Sequence, residues 1–172
     1  DFTCVTIRPA TVCGYAPRQR FDLTVNVMTR DAFLKKIITV FGGEQKRPNL
    51  HMRDMCDVYK LLLTAPKSKV QGQTFNVGAQ NMKVKEIARL IQEVVQAETG
   101  KMVEIRTEAS TDNRSYHINS DKIYNVLGFR PKHTVKDAIR DICARFQNGN
   151  WRDAATNPVY SNILQLLEKK VA

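Results

Sequence analysis

The sequence predicts a mixed α/β fold in which short strands lie between helices. Short runs of β-branched and apolar residues alternate along the chain with segments that carry apolar residues at helical spacing. No internal repeat and no low-complexity stretch interrupts this alternation. With 172 residues, of which 42% are hydrophobic and 26% are charged, the chain is long enough to bury a substantial core.

Turn residues and helix breakers bound the elements of the first half. Gly42-Gly43 ends one strand pattern before a charged turn that carries Lys46 and Arg47, and Pro66 ends a helical one. In order, we expect a strand at Phe2–Ile7, a helix at Leu23–Lys36, strands at Ile37–Phe41 and Asn49–Met52, a helix at Asp54–Thr64 and a strand at Thr74–Gly78. Because the chain begins inside a β-type run, we expect it to be a piece of a longer protein.

The second half contains the clearest helix, which Gly100 ends. Its apolar positions follow the helical period: Val84, Ile87, Ala88, Ile91, Val94 and Val95. Ser120 caps a short helix that ends at Gly128, and Thr134 with Asp137 resembles a capping box. The predicted order is a helix at Val84–Glu98, strands at Met102–Arg106 and Arg114–Ile118, the helix after Ser120, the helix after Thr134, and a last helix from Asn157-Pro158.

Composition limits the classes of function. The net charge of +10, from 27 Lys and Arg against 17 Asp and Glu, favours an anionic ligand such as a nucleotide or a nucleic acid. No apolar run is long enough to span a membrane. Cys4, Cys13 and Cys143 lie in apolar patterns, so we expect buried free thiols and a cytoplasmic protein. The histidines show no zinc-ligand spacing with the cysteines, so no metal site is expected.

The sequence contains no self-sufficient catalytic motif. It lacks GxGxxG, GxxxxGK[ST] and GxSxG, and none of its five tyrosines has a lysine four residues later. The remaining candidates are arginines beside predicted turns. A planar guanidinium can donate two parallel hydrogen bonds to phosphate oxygens. These arginines are Arg18, Arg20, Arg47 and Arg114. Any single arginine of this kind is more often solvated or in a surface ion pair, and composition alone favours a structural role for Asn26 over a ligand contact.

Four segments, in order, resemble the extended short-chain dehydrogenases, and most closely their NAD(P)-dependent nucleotide-sugar epimerases and dehydratases. They are RPATVCG, ITVFGGEQKRPNLHMRDMCDVYKLLL, TFNVG and DNRSYHINSDKIYNVLGFRPKHTVKDAI. The resemblance covers roughly Phe2 to Phe146. It implies the C-terminal portion of an extended Rossmann-type fold, which comprises the last sheet strand or strands and a small mixed α/β substrate-binding lobe.

The resemblance also implies roles for individual residues. Arg47 and Arg114 match the arginines that hold the substrate diphosphate, and Asn26 matches a substrate-contacting asparagine. Arg18 and Arg20 are weaker candidates for lining the sugar pocket. The segment Pro9, Ala10 and Thr11 would border the nicotinamide of NAD or NADP. Cys13 stands where the family usually has tyrosine, which leaves contacts by that side chain open.

The implied organisation has three parts. Residues 1–20 would end the NAD(P)-binding Rossmann domain, residues 21–148 would form the substrate-binding lobe with some return to the Rossmann sheet, and residues 149–172 would form a linker and helix. The family's glycine-rich cofactor turn and Tyr-x-x-x-Lys pair are absent from the sequence. We therefore expect no catalytic residue in this chain, no activity for it alone, and a nucleoside-diphosphate sugar as ligand.

Two alternatives stay open. One is a nucleic-acid-binding module derived from the same fold, which the basic charge permits. It is the less favoured because the basic residues are not interleaved with aromatic ones and no nucleic-acid motif is present. The other is a structural remnant without ligand. The intact protein is expected to form a homodimer and to have no membrane contact.

Overall fold

A computed structural model of the chain describes residues 2–110 and 114–171, with the side chains up to residue 167. The strands are β1 (Val5–Pro9), β2 (Thr11–Cys13), β3 (Ile37–Phe41), β4 (Lys46–His51), β5 (Gln73–Val77), β6 (Gln80–Lys83) and β7 (Glu104–Glu108). The helices are α1 (Thr24–Lys35), α2 (Met52–Thr64), α3 (Lys67–Val70), α4 (Val84–Thr99), α5 (Asp121–Leu127), α6 (Val135–Gln147) and α7 (Asn162–Val171), with a 3-10 turn at Pro158–Tyr160 before α7.

The strands form three small sheets in which parallel pairing dominates. β1 runs parallel to β5, β2 runs parallel to β4, and β3 runs parallel to β7. β6 adds to the other side of β4 in antiparallel direction. Only Ala10 separates β1 from β2, and its N–H donates to Val77 O at 2.7 Å, so the chain passes there from one sheet to the next.

The larger core lies between α1, α4 and α6 and the sheet of β3 and β7. All six apolar positions predicted on α4 are buried, because its 3.6-residue period turns them to one face. Fully burying an aliphatic side chain of this size stabilises the fold by about 1.5–3 kcal/mol. Ile38 and Val40 of β3 meet that face from the sheet.

A second core joins β1 and β5 to α2 and α5, and it contains Phe75, Val77, Val58 and Ile123. A third, aromatic cluster holds the C-terminal segment against the body of the chain. In it Phe21 stacks on Phe146 at 5.6 Å between ring centroids and meets Trp151 edge-on at 5.2 Å. The segment after α6 therefore packs on the loop that precedes α1.

Several boundaries differ from the sequence-based expectation. β4 begins at Lys46 and not at Asn49, so Lys46 and Arg47 lie in a strand and not in a turn. Pro48 is tolerated there because β2 pairs with β4 only from Asn49 onward. Residues 114–118 are not a strand. Side chains hold them instead: Ile118 N–H donates to Asn81 Oδ1 at 2.9 Å.

Three further expectations were wrong in part. The side chain of His51 caps α2 by accepting from Arg53 N–H at 3.1 Å, and Asp54 has other partners. The expected burial holds for Cys13 and Cys143, whereas Cys4 is exposed because it precedes β1 outside the core. The last helix begins at Asn162, since Pro158 starts only a 3-10 turn.

Gly78 sits where there is no room for a side chain. A Cβ atom at this position would overlap Cγ2 of Ile118 and approach the Cβ atom of Ala10 to 3.3 Å. Isoleucine is stiff at this branch point, so it cannot simply rotate away. We expect Gly78→Ala to lower the free energy of unfolding by about 1–3 kcal/mol in urea denaturation. Adding Ile118→Ala should recover part of that loss, and a stable single variant would contradict the packing.

Candidate functional site

A pocket of about 460 Å³ opens between α1, the end of β3 and the start of β4. Its size lies in the range of small-molecule sites. One wall is apolar, while polar and charged groups line the remainder. The lining residues are Asp22, Thr24, Val27, Met28, Asp31, Thr39, Phe41, Gln45, Arg47, Val84 and Ser110.

Arg47 is the cation of this pocket that the sequence analysis singled out. Its Nη1 donates to the carbonyl oxygen of Lys46 at 3.0 Å and also to the carbonyl oxygen of Arg114. Its guanidinium lies 5.4 Å from the centre of the Tyr116 ring. The structure thus brings together the two segments predicted to hold a diphosphate, through a hydrogen bond from Arg47 to the backbone carbonyl of Arg114.

The first turn of α1 adds positive potential to the same pocket. Thr24 begins the helix, and the preceding N-cap residue, Leu23, forms no side-chain hydrogen bond to its N-terminal N–H groups. Such groups carry a partial positive charge and bind anions readily. Val27 and Met28 follow on the pocket side, so a ligand at the helix start would continue along an apolar surface.

Asn26 is buried, and its amide already has partners within the chain. Its Oδ1 accepts from Gly14 N–H at 3.1 Å, and its Nδ2 donates to the Arg20 carbonyl at 2.9 Å. It therefore fastens the 14–20 loop to α1. It is not among the residues that line the pocket, and its contact with substrate stays a prediction.

Arg18 and Arg20 point to other parts of the chain. Arg18 donates to Asn162 Oδ1 at 2.8 Å, and Arg20 forms a paired contact with Asp22 at 2.9 and 3.0 Å. Burial raises the pKa of the Asp22 carboxyl, but hydrogen bonds from Arg20 and from Asn162 N–H outweigh it and hold that pKa below its usual value. Neither arginine lines the pocket, and their contact with a sugar stays a prediction.

The three residues predicted beside a nicotinamide share a second pocket of about 400 Å³. Pro9, Ala10 and Thr11 line it together with Pro48, Asn76, Tyr116, His117 and Ile118. It lies at the carboxyl ends of β1 and β5, which is where ligands bind in parallel α/β sheets. Tyr116 also approaches Arg47, so the segment 116–118 joins the two pockets.

A cluster of two histidines and two aspartates lies where the end of β4 and the start of α2 meet α6 and the segment before it. The rings of His51 and His133 stack at 4.7 Å, and His133 Nδ1 lies 2.8 Å from Asp54 Oδ1. His51 is buried, and its Nε2 lies 3.4 Å from Asp141 Oδ2 without hydrogen-bond geometry. The sequence analysis missed this cluster because its members are distant in sequence and share no motif.

The cluster predicts a pH dependence of stability. Burial lowers the pKa of His51, and the nearby Asp141 only partly opposes this. The unfolded chain then binds a proton at His51 more tightly than the folded one. The contribution of His51 is therefore complete above about pH 6.5 and is lost as the pH falls through its folded pKa.

We expect the free energy of unfolding, measured by urea denaturation, to fall between pH 7.5 and 5. The His51→Gln variant, which has no titrating ring, should lose part of this slope. An equal slope in both proteins would show that His51 does not cause it.

The two buried cysteines are poorly suited to nucleophilic chemistry. Burial raises the pKa of both Cys13 and Cys143 to about 12, which makes them poor nucleophiles. Within residues 2–110 and 114–167, no three His, Cys, Asp or Glu side chains are grouped as metal ligands. In the same residues, no helix is both long and apolar enough to cross a membrane.

Comparison with known proteins gives consistent matches. Residues 1–78 match the NAD dependent epimerase/dehydratase family. The chain is 26% identical over 161 residues to dTDP-glucose 4,6-dehydratase 1 of Escherichia coli (strain K12), a match that covers 88% of this chain and 44% of the relative. The chain thus spans less than half the length of this relative.

Solved structures establish the fold. The crystal structure of dTDP-glucose 4,6-dehydratase from Bacillus anthracis, in complex with NAD, matches with a TM-score of 0.68 and 22% identity, over 87% of this chain and 47% of that one. UDP-glucuronic acid 4-epimerase from Bacillus cereus, in complex with UDP-glucuronic acid and NAD, matches with a TM-score of 0.68 and 20% identity, over 84% and 45%. The predicted fold class, part of an extended Rossmann-type α/β fold, is confirmed. The predicted resemblance to the NAD-dependent epimerases and dehydratases is confirmed as well, by the family match over residues 1–78 and by the similarity to the dehydratase relative.

Proposed function

We propose that this chain is the nucleotide-sugar-binding part of an NAD(P)-dependent epimerase or dehydratase. The observation that carries the proposal is Arg47 on a pocket of about 460 Å³ whose other walls are the uncapped start of α1 and an apolar surface. A nucleoside diphosphate fits these walls. Its anionic phosphates match Arg47 and the helix start, and the flat face of its base matches the apolar surface. The substrate is thus a nucleoside-diphosphate sugar.

We assign a separate role in substrate binding to each of the predicted site residues. Arg47 contacts the diphosphate with a planar cation, and Arg114 adds charge from the adjoining segment. Asn26 contributes to substrate binding indirectly, because its two hydrogen bonds hold the 14–20 loop against the start of α1. The sugar then extends from the diphosphate toward the segment 116–118 and the second pocket.

NAD or NADP would lie with its nicotinamide against Pro9, Ala10 and Thr11. The second pocket fits this end of the cofactor, since it combines apolar surface with the Thr11 hydroxyl and the Asn76 amide. The bound cofactor would take a hydride from the sugar and return it. We assign the catalytic tyrosine and lysine and the glycine-rich turn to sequence outside this chain, so that the chain alone binds without turnover.

The substrate lobe of the proposed division returns to the sheets of the cofactor part, because β1 pairs with β5 and β2 pairs with β4. Residues 1–20 end the cofactor domain, residues 21–148 form the substrate lobe, and residues 149–172 form a linker and helix. In support, β1 pairs only with β5 among the described strands, and Tyr59 and Leu63 lie exposed beside it. A further parallel strand with its helix would cover this edge. We also propose a homodimer in the cytoplasm for the intact protein.

Calorimetric titration of the chain with UDP, GDP, CDP and dTDP tests the proposal. Binding of a nucleoside diphosphate that weakens in Arg114→Ala would support it. No binding by any of the four would contradict it. A parallel titration with single-stranded RNA distinguishes the alternative, because RNA binding that falls steeply with salt would favour a nucleic-acid module.

A further inference from the structure

The pocket of Arg47 has two chemically different ends. On α1, Thr24 and Asp31 face it from positions seven residues apart, which is about 10 Å along a helix. The chain turns back at Lys36 into β3, so that Thr39 lies level with the Asp31 end and Phe41 with the Thr24 end. Arg47 follows Phe41 after a short turn and therefore belongs to the Thr24 end.

This polarity orients a nucleoside diphosphate. The phosphates belong with Arg47 and the start of α1, where the helix dipole is positive. The carboxylate of Asp22 also lines this end, but it is paired with Arg20 at 2.9 Å. The ribose and base then run along Val27 and Met28. The edge of the base reaches Asp31 and Thr39, where a carboxylate and a hydroxyl line the pocket.

Asp31 has an oxygen available for this edge. Arg30 Nη2 and Lys35 Nζ both contact Oδ1, at 2.8 and 3.3 Å. Among residues 2–110 and 114–167, no group donates a hydrogen bond to Oδ2. The side chain is 24% exposed, so the carboxylate is positioned by its neighbours and still reaches the pocket.

The geometry points to guanine as the base that this pocket selects, with Asp31 as the residue that determines specificity. An ionised carboxylate only accepts hydrogen bonds. Guanine presents two adjacent donors, N1–H and the N2 amino group, that match a carboxylate in pairs. Thymine and uracil present one N–H between two carbonyl oxygens, which would face the second carboxylate oxygen and be repelled. This inference rests on the proposed function and refines it to a GDP-sugar.

Competition binding with GDP, dTDP and UDP tests the inference on the chain and on Asp31→Asn. We expect GDP to bind at least about tenfold more tightly than dTDP or UDP, as a paired charge-assisted contact provides. Asp31→Asn should remove that preference by weakening GDP alone. Asp57→Asn, which removes a partly exposed carboxylate from α2, is the matched control and should retain the preference for GDP.

The outcomes separate the two proposals. If dTDP or UDP binds as tightly as GDP, or if Asp31→Asn keeps the preference for GDP, the guanine assignment is wrong and the diphosphate site stands. If none of the nucleotides binds, the proposed function itself fails.

Discussion

Replacing Asp54 by alanine is expected to lower the free energy of unfolding by about 3–5 kcal/mol. Its carboxylate is fully buried and accepts hydrogen bonds from the backbone N–H groups of Lys132 and His133, each at 3.0 Å. The His133 ring adds a contact at 2.8 Å. Alanine would leave these two part-buried N–H groups without their acceptor, and an unsatisfied buried donor costs about 1–3 kcal/mol.

The measurement is urea denaturation followed by circular dichroism. Asp57→Ala is the control on the same helix, since Asp57 is partly exposed and forms an ion pair with the exposed Lys60 at 3.5 Å. That change should alter stability by less than about 0.5 kcal/mol. If Asp54→Ala is as stable as the control, the carboxylate does not hold α2 to the segment before α6.

Arg47→Ala is expected to weaken nucleoside-diphosphate binding by about 10- to 100-fold. Hydrogen bonds between ionised partners contribute about 1.5–3 kcal/mol each, which corresponds to this range. The loss should shrink as salt is raised, because ions screen the part of the attraction that is exposed to solvent. Calorimetry at two salt concentrations measures both effects.

Arg140→Ala removes the same charge from the exposed face of α6 and is the matched control. It should change affinity by less than about threefold, since only the long-range field is altered. Equal losses in both variants would mean that net charge, and not the geometry at Arg47, attracts the ligand. That result would favour the nucleic-acid alternative.

The helices of the main core could be predicted because burial imposes their period. On α4 every residue of the apolar face is buried, so the helical period of the apolar residues is complete in the sequence and predicts the helix. On α1 the buried face includes Asn26 and Thr29, which blurred the pattern. β6 has the sequence QNMK and was missed, since it is held by pairing with β4 and not by β propensity.

The charged residue Arg47 of the candidate site could be predicted from the sequence, but the apolar residues that line the pocket could not. Arg47 stands out beside a glycine turn, whereas Val27 and Phe41 resemble core residues until the pocket is seen. Arg18, like Arg47, is an arginine beside a predicted turn. Its partner Asn162 is 144 residues away, so no local pattern could reveal that contact. Asp54 was interpreted as a local helix-capping residue for the same reason, because no local pattern reveals a partner 79 residues distant.

The central claim is that the Arg47 pocket binds a nucleoside diphosphate. The most direct measurement is a nuclear magnetic resonance titration of the isotope-labelled chain with GDP, which also detects weak binding. We expect amide shift changes at residues 24–31, 39–41 and 45–47, and their loss in Arg47→Ala. Shift changes confined to other surfaces, or none with GDP, dTDP or UDP at millimolar concentration, would contradict the account.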